Sequence, residues 1–167
     1  MAEEYDQAFN IIFDNNLYEY LDLWGNYTVL IDLYSKLLPE NHFGIEILLK
    51  NKGNYGGILG NIGLVYHYLG KMRKAIEYYE QALKIAQEME NRRIEGSTLG
   101  NLGRVYSDLG EPRKAIEYYE RALKITQEIG DRHEEGNILG NLGIAYKNLG
   151  ETRKAIEYYE QALKIAQ

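Results

Sequence analysis

An all-α solenoid of stacked antiparallel helix pairs is the fold this sequence predicts, and three observations predict it. The heptapeptide Lys-Ala-Ile-Glu-Tyr-Tyr-Glu occurs at 74–80, 114–120 and 154–160, in steps of forty residues. The same step relates Gly60-Asn61, Gly100-Asn101 and Gly140-Asn141. Within each step, two stretches place apolar residues with the 3.6-residue period of a helix. A fixed period of this length marks one supersecondary unit per repeat, which cannot bury its apolar face alone and must stack on its neighbours. The product is an elongated array with a continuous groove, an architecture for binding rather than a closed catalytic pocket.

The first helix of the first repeat is expected over about residues 56–69, where Leu59, Ile62, Gly63, Tyr66 and Leu69 share a side. Gly70 ends it, as Gly110 and Gly150 end its equivalents, because glycine enters the left-handed region at no steric cost. The second helix begins near Met72. Its counterpart begins at Pro112, where a missing N–H is harmless in the first turn. Ala75, Ile76, Tyr79, Ala82, Leu83 and Ala86 form its buried stripe. Glu80 to Lys84, Glu120 to Lys124 and Glu160 to Lys164 are acid-before-base pairs four apart, each adding about 0.2–0.5 kcal/mol to an exposed helical face. Gly63, Gly103 and Gly143 lie on the buried side of the first helices. An interior glycine costs about 0.8–1.0 kcal/mol against alanine, so these three imply close helix approach. Between repeats, Gly130-Asp131 and Asn91 are the expected stop signals, with Asn91 standing in for glycine.

These boundaries divide the chain into repeats at 51–90, 91–130 and 131–167, the last cut short before its stop signal. Residues 1–50 form a divergent block. Gly25, Leu30, Tyr34, Leu37 and Leu38 reproduce the spacing of Gly70, Ala75, Tyr79, Ala82 and Leu83. Residues 26–38 therefore read as the second helix of a degenerate repeat, 16–24 as its partner with Leu21 and Trp24 buried, and 3–14 as a further helix. Pro39 opens a linker to about residue 54. No polar capping helix follows the third repeat, so its outer apolar edge is expected to be exposed.

The composition narrows the function classes. The 167 residues carry 19 Lys and Arg against 25 Asp and Glu, a formal charge of −6, with no basic stripe, so nucleic acid is not an expected partner. There is no cysteine, which excludes disulfides and thiolate metal sites and fits a reducing compartment. The Asn26-Tyr27-Thr28 sequon is then idle. Residues 1–6 lack the basic-then-apolar order of a secretion signal, and no apolar run approaches a membrane span. A cytoplasmic protein without membrane association is expected. His42, His67 and His133 are dispersed, so no metal site is expected. No Gly-x-x-x-x-Gly-Lys-Ser/Thr phosphate loop and no nucleophile–base set rises above the charged helix surface, so neither cofactor nor enzymatic activity is expected.

On a helical wheel of the first helix, Asn61 lies nearly opposite the core residues, flanked by Gly57, Gly60, Leu64, His67 and Tyr68. The second repeat shows Ser97, Gly100, Asn101, Arg104, Ser107 and Asp108 there. The third shows Asn137, Gly140, Asn141, Ile144, Lys147 and Asn148. A carboxamide offers an acceptor and two donors, so it can pair with both the C=O and N–H of a backbone whatever the side chains. Packed helices lie about 8–10 Å apart and an extended chain rises about 3.3 Å per residue. Each asparagine rung then meets roughly every third ligand residue. Glycine at 60, 100 and 140 leaves room for that chain. The alternative is a tolerated polar residue on a wet face. Leu64, Tyr68 and Ile144 offer apolar contact, and Arg104 and Lys147 offer positive charge beside Asp108, which suits a ligand with an apolar and an acidic residue. An ordinary mixed surface is the alternative here too.

Leu59, Gly63, Tyr66, Gly70, Ala75, Tyr79 and Ala82, with their equivalents forty and eighty residues on, resemble the tetratricopeptide repeat. The usual repeat has thirty-four residues. This forty-residue form, with Leu-Gly-Asn-Leu-Gly in the first helix and Gly130-Asp131-Arg132 in the linker, is similar to the arrays of kinesin light chains, Pins-type adaptors and prokaryotic signalling proteins. That resemblance implies a right-handed superhelix with the first helices on the concave wall, and a ladder of asparagines that grips ligand backbone. The Leu-Trp-Gly-x-Tyr lead, Leu-Leu-Pro linker and repeats together resemble the sensor arrays of STAND-type signalling ATPases. This implies a sensor fragment whose nucleotide-binding domain lies elsewhere. The expected partner is a peptide or protein segment. A second expectation is a structural spacer that self-associates through its uncapped C-terminal repeat, giving a homo-oligomer.

Overall fold

The computed structural model describes residues 52–166, so the expected helices of residues 1–50 lie outside the described residues. Six helices follow in order: α1 Lys52–Tyr68, α2 Met72–Glu88, α3 Arg92–Asp108, α4 Pro112–Ile129, α5 Arg132–Asn148 and α6 Thr152–Ile165. They pack as antiparallel pairs α1/α2, α3/α4 and α5/α6, and the pairs stack in sequence through α2 on α3 and α4 on α5. The array is all-α, with no strand among the described residues. The helix α1 starts four residues before the expected position, running through Gly53, Gly56 and Gly57. Packing outweighs propensity there. Gly56 sits beneath Ile85 of α2, where an added Cβ would stand 3.3 Å from Ile85 Cγ2, and Gly96 and Gly136 repeat this contact on Ile125 and Ile165.

Two apolar clusters run through the stack, joined by the partly buried Leu83, Tyr106 and Tyr118. Ile58, Ile62, Val65, Ala75 and Tyr79 of the first pair bury against Leu102 and Val105 of the second. Leu99, Ala115, Tyr119 and Ala122 bury in turn against Ile138, Leu142 and Ala145. The interior glycines have the packing reason their cost implies. A Cβ on Gly63 would stand 2.8 Å from the Tyr79 ring, and one on Gly103 2.6 Å from the Tyr119 ring. The other tyrosine of each heptapeptide stacks within its own pair: Tyr66 on Tyr78, Tyr106 on Tyr118 and Tyr146 on Tyr158, with centroids 5.3, 5.3 and 5.2 Å apart. Lys74, Lys114 and Lys154 lie about 5 Å above Tyr66, Tyr106 and Tyr146, within cation–π range. Tyr146 Oη donates to Glu120 Oε1 at 3.2 Å, tying the third pair to the second.

The outer side of α6 has no neighbour among the described residues. Ile156 and Leu163 are 51% and 63% exposed, while Ile116, the equivalent of Ile156, is 8% exposed beneath the next pair.

All five inter-helix turns close the same way. At the end of α1, Lys71 N donates to Tyr66 O and Gly70 N to His67 O, with Gly70 at φ 68°. This pair of bonds satisfies carbonyls that a helix end leaves orphaned. Gly110, Gly130 and Gly150 hold the same left-handed position. After α2 that position belongs to Glu90, at φ 51°, and not to Asn91. Asn91 instead caps α3, its Oδ1 accepting from Ile94 N at 3.2 Å, as Asp131 Oδ1 accepts from Glu134 N. The forty-residue register aligns Glu90 with Gly130, so Glu90 is the strained member of the set. A side chain in this region costs roughly 1–2 kcal/mol. Glu90→Gly is therefore expected to stabilise the array by about 1 kcal/mol, read as a raised urea midpoint at unchanged slope. A lowered midpoint would show that the Glu90 side chain contributes more than its backbone costs.

Candidate peptide-binding groove

The first helices of successive pairs touch, α1 on α3 and α3 on α5, while α2, α4 and α6 share no comparable contact with one another. The stack therefore curves with α1, α3 and α5 on its inner wall. Asn61, Asn101 and Asn141 occupy equivalent places on these helices and are half-buried. Among the described residues, no hydrogen bond engages any of the three carboxamides. A Cβ on Gly60 or Gly140 would meet no atom within 4 Å, and neither would one on Gly57. Gly100 differs: it is buried, and a Cβ there would stand 3.4 Å from Glu134 Oε1. The bare backbone strip is thus open beside Asn61 and Asn141 and partly covered beside Asn101.

The remaining expected groove residues separate into two groups. Tyr68 and Ile144 are 49% and 46% exposed. Arg104, Lys147 and Asn148 are also exposed, and Leu64 is half-buried, packed against the core between the first and second pairs. His67 is only 8% exposed. Its Nε2 lies 2.6 Å from Asp108 Oδ2, bridging α1 to α3, and its Nδ1 is buried without a hydrogen-bond partner. His67 and Asp108 therefore engage each other across the first two repeats. The equivalents of His67 are Ser107, half-buried at the next junction, and Lys147, exposed on the third pair. Ser97 and Asn137, which share the wall, are held by their own helices: Ser97 Oγ donates to Ile94 O at 3.1 Å, and Asn137 Nδ2 donates to Glu134 Oε2 at 3.2 Å.

Tyr119 packs against Gly103 on the buried side of α3 and stays protonated. Burial pushes its hydroxyl up to about 12, against the opposing pull of the Arg104 charge. Arg104 makes no ion pair among the described residues, although Asp108 lies one turn further along the same helix.

Sequence reasoning did not single out the buried acids near the outer turns. Glu95 accepts from Arg92 Nη1 at 2.6 Å and from Gln87 Nε2 at 3.2 Å, and Arg92 also pairs with Glu128. Glu135 repeats the pattern with Arg132 and Gln127 at 2.7 and 3.0 Å. Each ties the end of one repeat to the start of the next. The recurrence of Arg92 and Glu95 as Arg132 and Glu135 was the available signal. Among the described residues, no group of three His, Cys, Asp or Glu could hold a metal ion, and no helix is long and apolar enough to cross a membrane.

The sequence pattern of the tetratricopeptide repeat matches residues 54–128 and again 96–167. No curated protein matches the chain. Among solved structures, it is similar to BtubC (BKLC) from P. vanneervenii, at 25% identity and a TM-score of 0.75, over 90% of this chain and 60% of that one. It is also similar to the TPR domain of Arabidopsis FLU, at 22% identity and a TM-score of 0.62, over 68% of this chain and 95% of that one. Apo RapI aligns at 22% identity and a TM-score of 0.71, over 87% of this chain and 40% of its own. The chain thus spans less than two thirds of BtubC and less than half of RapI. Tetratricopeptide repeats serve as non-catalytic scaffolds for protein–protein interaction. With its helix pairs, its interior glycines and its matched pattern, the chain belongs to the tetratricopeptide repeat family.

Proposed function

We propose that this array is a peptide- or protein-recognition module, with no catalysis of its own, that captures a ligand segment along its inner wall. Asn61, Asn101 and Asn141 hold the ligand backbone, and Leu64, Tyr68, Arg104, Ile144, Lys147 and Asn148 meet its side chains. The observation that carries this reading is three equivalent asparagines, half-buried and with carboxamides unbonded among the described residues, two of them, Asn61 and Asn141, beside glycines open to close approach. An amide with no protein partner keeps an acceptor and two donors available, so it can exchange hydrogen bonds with the C=O and N–H of a ligand backbone. His67 and Asp108 serve this wall as its tie rather than as its contact surface. The resemblance to STAND-type sensor arrays supports a place in a larger cytoplasmic signalling protein. The test is replacement of all three asparagines with alanine, with binding of peptides selected on the wild-type array as the readout.

A second reading is favoured by the uncovered side of α6: the array stacks on another copy through Ile156 and Leu163. Light scattering over a concentration series is expected to show concentration-dependent association that Leu163→Glu removes. A strict monomer at high concentration would exclude it.

A further inference from the structure

We infer that the inner wall selects an extended segment in which one carboxylate is flanked, three residues away on each side, by apolar side chains, and that Arg104 takes the carboxylate. This rests on the reading of the inner wall as a peptide groove and adds the class of ligand. Leu64, Arg104 and Ile144 are equivalents one repeat apart, so they form a single row across α1, α3 and α5. The row carries apolar surface at both ends: half-buried Leu64, with half-exposed Tyr68 one turn on, and exposed Ile144. A guanidinium stands in the middle. Its planar fork of donors matches a carboxylate in two parallel hydrogen bonds. Packed helices about 8–10 Å apart, set against a rise of about 3.3 Å per extended residue, place successive contacts three ligand residues apart.

What frees Arg104 is a neighbouring repeat. Its ordinary partner on a helix is the carboxylate four residues on, Asp108. That carboxylate is taken by His67 Nε2 at 2.6 Å, and His67 is fixed by burial against the core. The other arginine of the same face, Arg93, lies 3.7 Å from Asp131. Arg104 is left as an exposed side chain without an ion pair among the described residues, on a wall whose Gly60 and Gly140 let a chain lie close. His67 is thus a positioning residue, which holds Asp108 away from the cation that reads the ligand.

The experiment is selection of a random nonapeptide display library on the immobilised chain, followed by titration of enriched peptides. Enriched sequences are expected to carry Asp or Glu with Leu, Ile, Val or Phe three residues before and after it. Arg104→Glu should exchange the acid for Lys or Arg while keeping the apolar positions. Arg104→Gln and the peptide's Glu-to-Gln change should each weaken binding about tenfold or more, and together no further. His67→Ala should weaken acidic peptides severalfold by releasing Asp108 to Arg104, and adding Asp108→Asn should restore them. A loss that Asp108→Asn does not restore would overturn the positioning role. Arg104 is exposed, so its variants keep the fold and decide the matter even where His67→Ala does not. Enriched peptides that lack the acid but still require Asn61, Asn101 and Asn141 would overturn the ligand class and leave the groove standing. Peptides that bind the triple asparagine variant equally well, or no enrichment at all, would overturn both.

Discussion

The double variant Gly63→Ala and Gly103→Ala is expected to lose stability, by up to about 4 kcal/mol, while Gly60→Ala and Gly140→Ala together gain about 1–2 kcal/mol. The chemistry of the substitution is the same in all four cases, and all four glycines lie inside first helices. Alanine relieves the backbone entropy cost of a helical glycine by roughly 0.8–1.0 kcal/mol at each site. At Gly63 and Gly103 the new methyl would stand 2.8 and 2.6 Å from the Tyr79 and Tyr119 rings. Real carbon atoms do not sit that close. Both rings are buried, at 0% and 2% exposure, so neither can swing into water to make room. The helices must part instead, and overpacking of this kind costs about 1–3 kcal/mol per site, occasionally more. At Gly60 and Gly140 nothing lies within 4 Å, so only the favourable term remains. Urea denaturation of the two double variants checks both signs. Equal shifts in the same direction would show that the tyrosine rings do not set the spacing of the helix pairs.

Replacing Asn61, Asn101 and Asn141 with alanine is expected to weaken a selected peptide roughly a hundredfold, with helicity unchanged. Each carboxamide can exchange two hydrogen bonds with an extended backbone, and the net worth of such a bond is about 0.5–1.5 kcal/mol. Three rungs losing about 1 kcal/mol each sum to about 3 kcal/mol, or two decades of affinity. The stability cost is small, because no protein hydrogen bond among the described residues depends on these side chains. The open glycines bear on the same wall. The Gly60→Ala and Gly140→Ala variant, more stable than the wild type, is expected to bind the peptide less well, since its methyls stand where ligand backbone approaches. Stability and binding moving in opposite directions separate a groove from a merely well-folded surface.

The close packing of the helix pairs was legible in the residues themselves. An interior glycine at 63, 103 and 143 is costly, and a tyrosine at 79, 119 and 159 supplies the bulk that requires it. The turn after α2 was legible only through the repeat register. Asn91 has the side chain that tolerates a left-handed backbone, yet it caps α3, while Glu90 takes the strained position because Gly130 does so forty residues later. Local preference pointed one residue too far along. The start of α1 at Lys52 was hidden for the opposite reason, because a run of glycines looks like a helix breaker until Ile85 packs against Gly56.

The inner wall was legible as a face but not as a set of contacts. A helical wheel treats each helix alone, and on it His67 and Asp108 both belong to the groove. Only the stacking of α1 against α3 brings a histidine to a carboxylate 41 residues away. The same limit hid Glu95 and Glu135, whose partners Gln87 and Gln127 come from the preceding helix. Periodicity reports which side of a helix a residue occupies. It does not report which neighbour that side meets.

Isothermal titration of a display-selected peptide into the wild-type array and into the Asn61, Asn101 and Asn141 triple alanine variant tests the central claim most directly. Capture through the ligand backbone predicts an affinity loss of about a hundredfold, with matching far-ultraviolet circular dichroism for the two proteins. Equal affinities would mean that the carboxamides are bystanders on the inner wall and that the array recognises its ligand elsewhere.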